Sequence, residues 1–183
     1  MTTTENQFDK VIHRCKDVFI KKTRDYGTAW RVLRTISVVD QIFIKALRIR
    51  NIQNIENRKV DDDVSSEFAG IVNYALIGLV QLKLNNPMVE ELSLDKASFL
   101  FDDAVSIVRE TMLNKNHDYG EAWREMSQES FVDLILMKLM RIRQILSNDG
   151  RTLVSEGIDA NYIDIANYAV FALILIEEGK HKA

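Results

Sequence analysis

Lys138 and Arg141 lie three residues apart, and so on one side of a helix, within a run that is otherwise Leu134, Ile135, Leu136, Met137, Leu139, Met140 and Ile142. A cation there must be paired, hydrated or turned toward a cleft, because taking an unpaired charge out of water costs several kcal/mol. Lys45 and Arg48 pose the same problem earlier in the chain. Asp118, Asp133 and Asp164 are candidate counter-charges for the later pair, and Asp25 and Asp40 for the earlier one. The alternative partner is an anionic ligand such as a phosphate, which suits both arginine's planar fork and lysine's point charge. Two readings stand side by side: internal ion pairs that lock helix register, or a ligand site.

Asp164 and Asn167 are one turn apart in an apolar run, with Glu156 and Asp159 just before them. Carboxylates clustered at a helix start can hold Mg²⁺ through oxygen ligands and leave positions for phosphate and water. Complementing the helix dipole explains Glu156 and Asp159 equally well, but not Asp164, which lies deeper in the run. His13, His117 and His181 lack paired ligand spacing, which argues against zinc. The sequence carries neither a glycine-rich phosphate loop nor a serine nucleophile elbow.

These residues belong to a repeat. Asp25-Tyr26-Gly27-Thr28-Ala29-Trp30-Arg31 returns as Asp118-Tyr119-Gly120-Glu121-Ala122-Trp123-Arg124, displaced by 93 residues. At the same displacement Asp40, Lys45 and Arg48 recur as Asp133, Lys138 and Arg141. After one inserted residue, Asn73-Tyr74-Ala75 returns as Asn167-Tyr168-Ala169, and Asp164 then faces Gly70. One competent site is therefore expected, in the second half, with the first half as a scaffold. The repeated turn reads as a helix terminator with an aromatic plug, in which Tyr26 and Trp30 pack over the helix end. If it borders a cleft, Tyr119 and Trp123 can instead wall a base.

The elements that must position these groups are helical. One proline, Pro87, and seven glycines leave little punctuation, and period-two apolar segments are missing. Helices are predicted at about 8–22, 37–55, 67–84, 95–113, 130–146 and 158–177, with Asn57–Ser66 as a charged connection and residues 1–7 as a loose tail. The fold class is all-α: a helical bundle of two similar three-helix halves related by pseudo-twofold duplication, residues 1–86 and 87–183, in one compact domain. Asn85-Asn86-Pro87 marks the boundary. The apolar runs 68–84 and 163–176 are shorter than a membrane span and carry polar residues, so they read as buried helices.

With 24 basic and 27 acidic residues there is no global field to hold a nucleic-acid polymer. The single cysteine, Cys15, excludes an internal disulfide and reads as a structural thiol. With no signal-peptide pattern at the N-terminus, it points to a reducing, cytoplasmic setting. Related bundles form homodimers, although the duplication already supplies a second half.

Lys115-Asn116-His117-Asp118-Tyr119-Gly120-Glu121-Ala122-Trp123, then Lys138 with Arg141, then Asp164-Ile165-Ala166-Asn167-Tyr168-Ala169 resembles the first type of nucleotide-modification-associated domain. The first half resembles it in degenerate form. The resemblance implies a role in nucleotide metabolism or base modification. The pattern is also similar to the MazG-type all-α nucleoside triphosphate pyrophosphohydrolases, which hold Mg²⁺ with carboxylates from two adjacent helices. Glu156-Gly157-Ile158-Asp159 has the spacing of their second acidic motif, whereas the paired glutamates of the first are missing, since residues 130–146 carry only Asp133. The expectation is a protein that binds a nucleotide or similar phosphate-bearing small molecule. Lys138 and Arg141 would neutralise phosphate, and Asn167 with Asp118, Tyr119 or Trp123 would position the base or sugar. Asp164 with Glu156 or Asp159 would hold Mg²⁺, and cleavage, if it occurs, would use metal-activated water with Asp164 as the catalytic group. The competing expectation is a helical scaffold or partner-binding module whose internal ions only specify packing.

Overall fold

Two helices in this chain are apolar on nearly every side, and such helices are stable only when other elements surround them. The structure, a computed structural model, describes residues 1–56, 59, 63–85 and 87–183. It places six helices: α1 Thr3–Tyr26, α2 Thr35–Asn54, α3 Val64–Leu84, α4 Leu94–Tyr119, α5 Gln128–Ser147 and α6 Ile158–Glu177. Among the described residues there is no strand. The apolar pair, α3 and α6, pack on each other and form the middle of three two-helix layers. On one side α2 and α5 pair, each against the middle helix of its own half; on the other α1 and α4 pair across both middle helices. The all-α bundle of two three-helix halves is what the repeat implied. By length and composition α3 and α6 are each sufficient to cross a membrane, but in the bundle most of their residues are buried.

The middle layer closes at Gly78. A Cβ there would lie 2.7–2.9 Å from the ring of Tyr162, which is fully buried and comes from the other half. No hydrogen-bond partner for the Tyr162 hydroxyl occurs among the described residues, and burial pushes its pKa up. The ring therefore contributes through packing. Cys15 behaves in the same way: its thiol is 2% exposed, and burial raises its pKa to about 12, which keeps it a neutral core group.

The N-terminal residues are not a loose tail. Thr2 accepts from the Glu5 backbone N–H at 3.2 Å while Glu5 accepts from the Thr2 N–H at 2.6 Å, a reciprocal cap that starts α1 at Thr3. The Thr4 hydroxyl then donates to Glu121 in the second half at 2.6–2.7 Å. Gly27 (φ 64°) and Gly120 (φ 73°) end α1 and α4 in the left-handed region that glycine tolerates, as the repeated turn required. Each is followed by a 3₁₀ turn, Ala29–Val32 or Ala122–Glu125. Much of the expected connection Asn57–Ser66 (residues 57, 58 and 60–62), together with Asn86 of the expected stop, lies outside the described residues; α3 begins within that span, at Val64, and ends at Asn85 (φ 71°).

Gly78→Ala is expected to lose about 1–2 kcal/mol of stability in urea unfolding, because overpacking against a buried aromatic ring outweighs alanine's better helix propensity. An equal or higher unfolding midpoint would show that the Tyr162 contact is not tight.

Candidate functional site

Lys138 is 8% exposed on α5, and its ammonium lies 2.8 Å from Asp164 Oδ2 on α6. The other oxygen, Oδ1, accepts from Lys115 at 2.8 Å, near the C-terminal end of α4. One buried carboxylate thus joins the three helices of the second half. Burial works against the Lys115 ammonium, but the hydrogen bond and charge of Asp164, aided by Glu156, outweigh it and raise its pKa above the ordinary 10.5. Lys115 was missed as an ion in the sequence, although Lys22 and Lys115 also recur at the 93-residue displacement.

The remaining expected members disperse. Arg141 is exposed, contacts Met137 Sδ at 3.8 Å and lines a separate surface hollow of about 680 Å³ with Gln144, Glu156 and Asn161. Asp118 is exposed and hydrogen-bonded to His117 Nδ1 at 2.9 Å. Tyr26 and Tyr119 are 74% and 81% exposed, so neither plugs its helix end. Trp123 is buried, with Phe171 stacked 4.1 Å from its ring at 6° and the Arg124 guanidinium 4.4 Å from the same ring. Two groups that close to one centroid occupy opposite faces, so Trp123 has no face left for a base. Asn167 donates to the Val108 carbonyl at 3.2 Å, tying α6 to α4.

The expected magnesium ligands do not come together as a donor set. Both Asp164 oxygens are held by ammonium groups, which a dication would have to displace, and Glu156 and Asp159 are exposed. Among the described residues no group of three or more His, Cys, Asp or Glu could hold a metal. The residues present do not fit Mg²⁺.

The first half differs at the same positions. The partner of Lys45 and Arg48 is neither Asp25 nor Asp40 but Glu67, one turn before Gly70, at 3.6 and 3.5 Å. Asp40 instead pairs with Arg143 across the halves at 2.8 Å. Gly70 carries no side chain, and the Lys45 side chain lies over it: a Cβ would meet Lys45 Cε at 2.8 Å and Nζ at 3.0 Å. There a hollow of about 510 Å³ opens, lined by Phe19, Tyr26, Trp30 and Tyr74 together with Lys22 and Lys45. Lys22 forms no ion pair among the described residues. Trp30 Nε1 and Asn73 Oδ1 are buried without a hydrogen-bond partner among the described residues, and so are the aligned Trp123 Nε1 and Asn167 Oδ1 of the second half. Where Phe171 covers Trp123, the first half has Ile77, and Trp30 stays half-buried and tilted 40° to Phe19. The aromatic and cationic hollow lies in the half read as degenerate, where glycine and isoleucine replace the aspartate and phenylalanine that engage the second.

The two turns are also fastened differently. Gln81 on α3 donates to the carbonyls of Trp30, Arg31 and Leu33 at 2.9–3.1 Å and so holds the turn that carries Trp30. Arg124 reaches Glu121, Thr4, Gln7 and Glu178 at 2.7–2.9 Å around the second turn.

The family profile described as nucleotide modification associated domain 1 matches residues 22–82 and 115–176. The chain belongs to that family. The two matched segments start 93 residues apart (115 − 22), the displacement of the repeat, so each half carries one copy of the domain. No curated protein and no solved structure matches the chain. None of these comparisons shows the MazG-type similarity.

Asp164→Asn strands the buried Lys138 ammonium and is expected to cost about 3 kcal/mol in urea unfolding at pH 7. Because the Lys115 pKa is raised on folding, the stability it contributes is fully present below about pH 10.5 and is lost as pH rises through the folded value. The difference between wild type and variant should therefore narrow in strongly alkaline buffer. A gap that is negligible at pH 7, or that widens above pH 10.5, would contradict the assignment.

Proposed function

We propose that the protein binds a nucleotide or a closely related small molecule that joins an aromatic ring to phosphate. The observation that carries this reading is the first-half hollow. Its Phe19, Tyr26, Trp30 and Tyr74 rings suit a flat base, and Lys22 and Lys45 suit an anion. Membership of a family described by nucleotide modification supports the same class of ligand. Hollows of this size commonly take small organic ligands.

A second reading, for the second half alone, is structural. Asp164 there has both oxygens on lysines and Trp123 is enclosed by Phe171 and Arg124, the arrangement of an internal clamp that specifies helix packing. Cleavage centred on Asp164 has weak support, since a carboxylate so engaged is poorly placed to activate water.

Calorimetric titration with nucleosides and nucleoside mono-, di- and triphosphates, with and without Mg²⁺, tests the binding reading. We expect saturable binding of a phosphate-bearing member without a requirement for Mg²⁺, weakened about tenfold or more by Lys45→Ala through loss of a charged contact. Absence of binding across the panel would remove the reading. Pyrophosphate release that needs Mg²⁺ and disappears in Asp164→Asn would instead restore a catalytic second half.

A further inference from the structure

The duplication puts two versions of one arrangement in a single chain. In the second half, the lysine ending the α4 run and the lysine in the middle of α5 converge on one carboxylate, with both contacts at 2.8 Å. Their first-half counterparts, Lys22 and Lys45, line one hollow, but the residue opposite Asp164 is Gly70. The carboxylate that pairs with Lys45, Glu67, comes from one turn earlier and its Oε2 stays 3.6 Å away, beyond a good charged hydrogen bond, while Oε1 faces Arg48 at 3.5 Å. The first half thus has the two cations but, among the described residues, no carboxylate that joins them as Asp164 joins Lys115 and Lys138.

We infer that the second half is an internal copy of the ligand-bound state of the first, and that a ligand phosphate occupies, between Lys22 and Lys45 and over Gly70, the place that Asp164 holds between Lys115 and Lys138. This rests on the nucleotide-binding reading and gives it a ligand class and an orientation. Among the described residues, two lysines and no acidic residue line the hollow. The lysines match the nearly two negative charges of a phosphate monoester at neutral pH. A triphosphate would bring further charge, and among the described residues the lining has no third cation to meet it and no group of three or more His, Cys, Asp or Glu could hold a balancing metal. The favoured ligand is a nucleoside monophosphate or an equivalent ring-bearing phosphate monoester. Its phosphate lies on the Gly70 floor and its ring against Trp30, which the small Ile77 leaves uncovered where Phe171 covers Trp123. The end of the Lys45 side chain lies over Gly70 in the unliganded chain, so the phosphate takes this place as that flexible end swings aside to meet it.

Affinities measured for the wild-type chain, Gly70→Asp and Gly70→Asn test the inference with three probes: a nucleoside, its monophosphate and its triphosphate, in metal-free buffer. The wild-type chain should bind the monophosphate at least about 30-fold more tightly than the nucleoside, and more tightly than the triphosphate, at one molecule per chain. Gly70→Asp installs the second half's carboxylate and should lower monophosphate affinity at least about 100-fold, whereas the similarly sized but uncharged Gly70→Asn should lose markedly less. Retention of wild-type affinity in Gly70→Asp, or an equal loss in both variants, would overturn the inference. If Gly70→Asp does not fold, the wild-type comparison decides: a nucleoside that binds as well as its monophosphate, or a triphosphate that binds better, also overturns it. Those failures leave nucleotide binding intact, whereas the failure of every probe to bind the wild-type chain would reject the underlying reading.

Discussion

A lysine set in the middle of an apolar helix has to find a negative charge, and in this bundle that requirement arises twice, at Lys45 and Lys138. The second half meets it within the chain: Asp164 on the neighbouring helix reaches Lys138 and, with its other oxygen, Lys115, so that one carboxylate couples α4, α5 and α6. The first half meets it only in part, through the more distant Glu67, and over Gly70 it has the end of the Lys45 side chain where the second half has a carboxylate. The contrast at the aligned lysine pairs, one engaged by a carboxylate and one facing a hollow, follows from where the carboxylate is placed on an otherwise similar frame.

That frame is set by the middle layer. Burying α3 and α6 against each other satisfies the most apolar faces in the chain, and the absence of a side chain at Gly78 lets Tyr162 cross between the halves. Once the two middle helices are fixed, their outward residues decide what each half presents: Gly70, Asn73 and Ile77 on α3, and Asp164, Asn167 and Phe171 on α6. The paired asparagines keep one role in both halves, each donating from its side-chain amide to a backbone carbonyl, Cys15 or Val108, on the first helix of its half. The flanking positions have diverged. Phe171 stacks on Trp123 and Asp164 neutralises two lysines, while Ile77 and Gly70 leave Trp30 and the lysine pair facing the hollow. The fastening of the turns has diverged too, with Gln81 serving one and the Arg124 network the other.

The helical frame and its duplication were legible because they rest on local signals: the 93-residue repeat, the all-round apolar character of α3 and α6, and glycines where positive φ ends a helix. The start of α1 was legible as well, since Thr2 followed three residues later by Glu5 is a capping-box pattern; its polar composition suggested a tail instead. Charge burial gave Lys138 three candidate partners, Asp118, Asp133 and Asp164, and only the packing selects Asp164. What composition and spacing did not reveal depends on how helices rotate against one another. Glu67, rather than Asp25 or Asp40, reaches Lys45 because its face of α3 turns toward α2. Tyr26 and Tyr119 look like plugs in the sequence but, as the last residues of α1 and α4, are largely exposed, Tyr26 at the edge of the hollow. The exchange of Phe171 for Ile77 was visible at the aligned position, yet its consequence, an uncovered Trp30, required the packing around it.

The chain has one tryptophan in each half, so the inequality of the halves can be read from two indole signals. In a ¹⁵N-labelled sample titrated with a nucleoside monophosphate, the account expects the Trp30 Nε1–H resonance, assigned with Trp123→Phe, to shift and saturate at one ligand per chain. The Trp123 resonance should remain in place. A shift of Trp123 alone, or saturable binding that leaves Trp30 unmoved, would contradict the claim that the first half holds the open site.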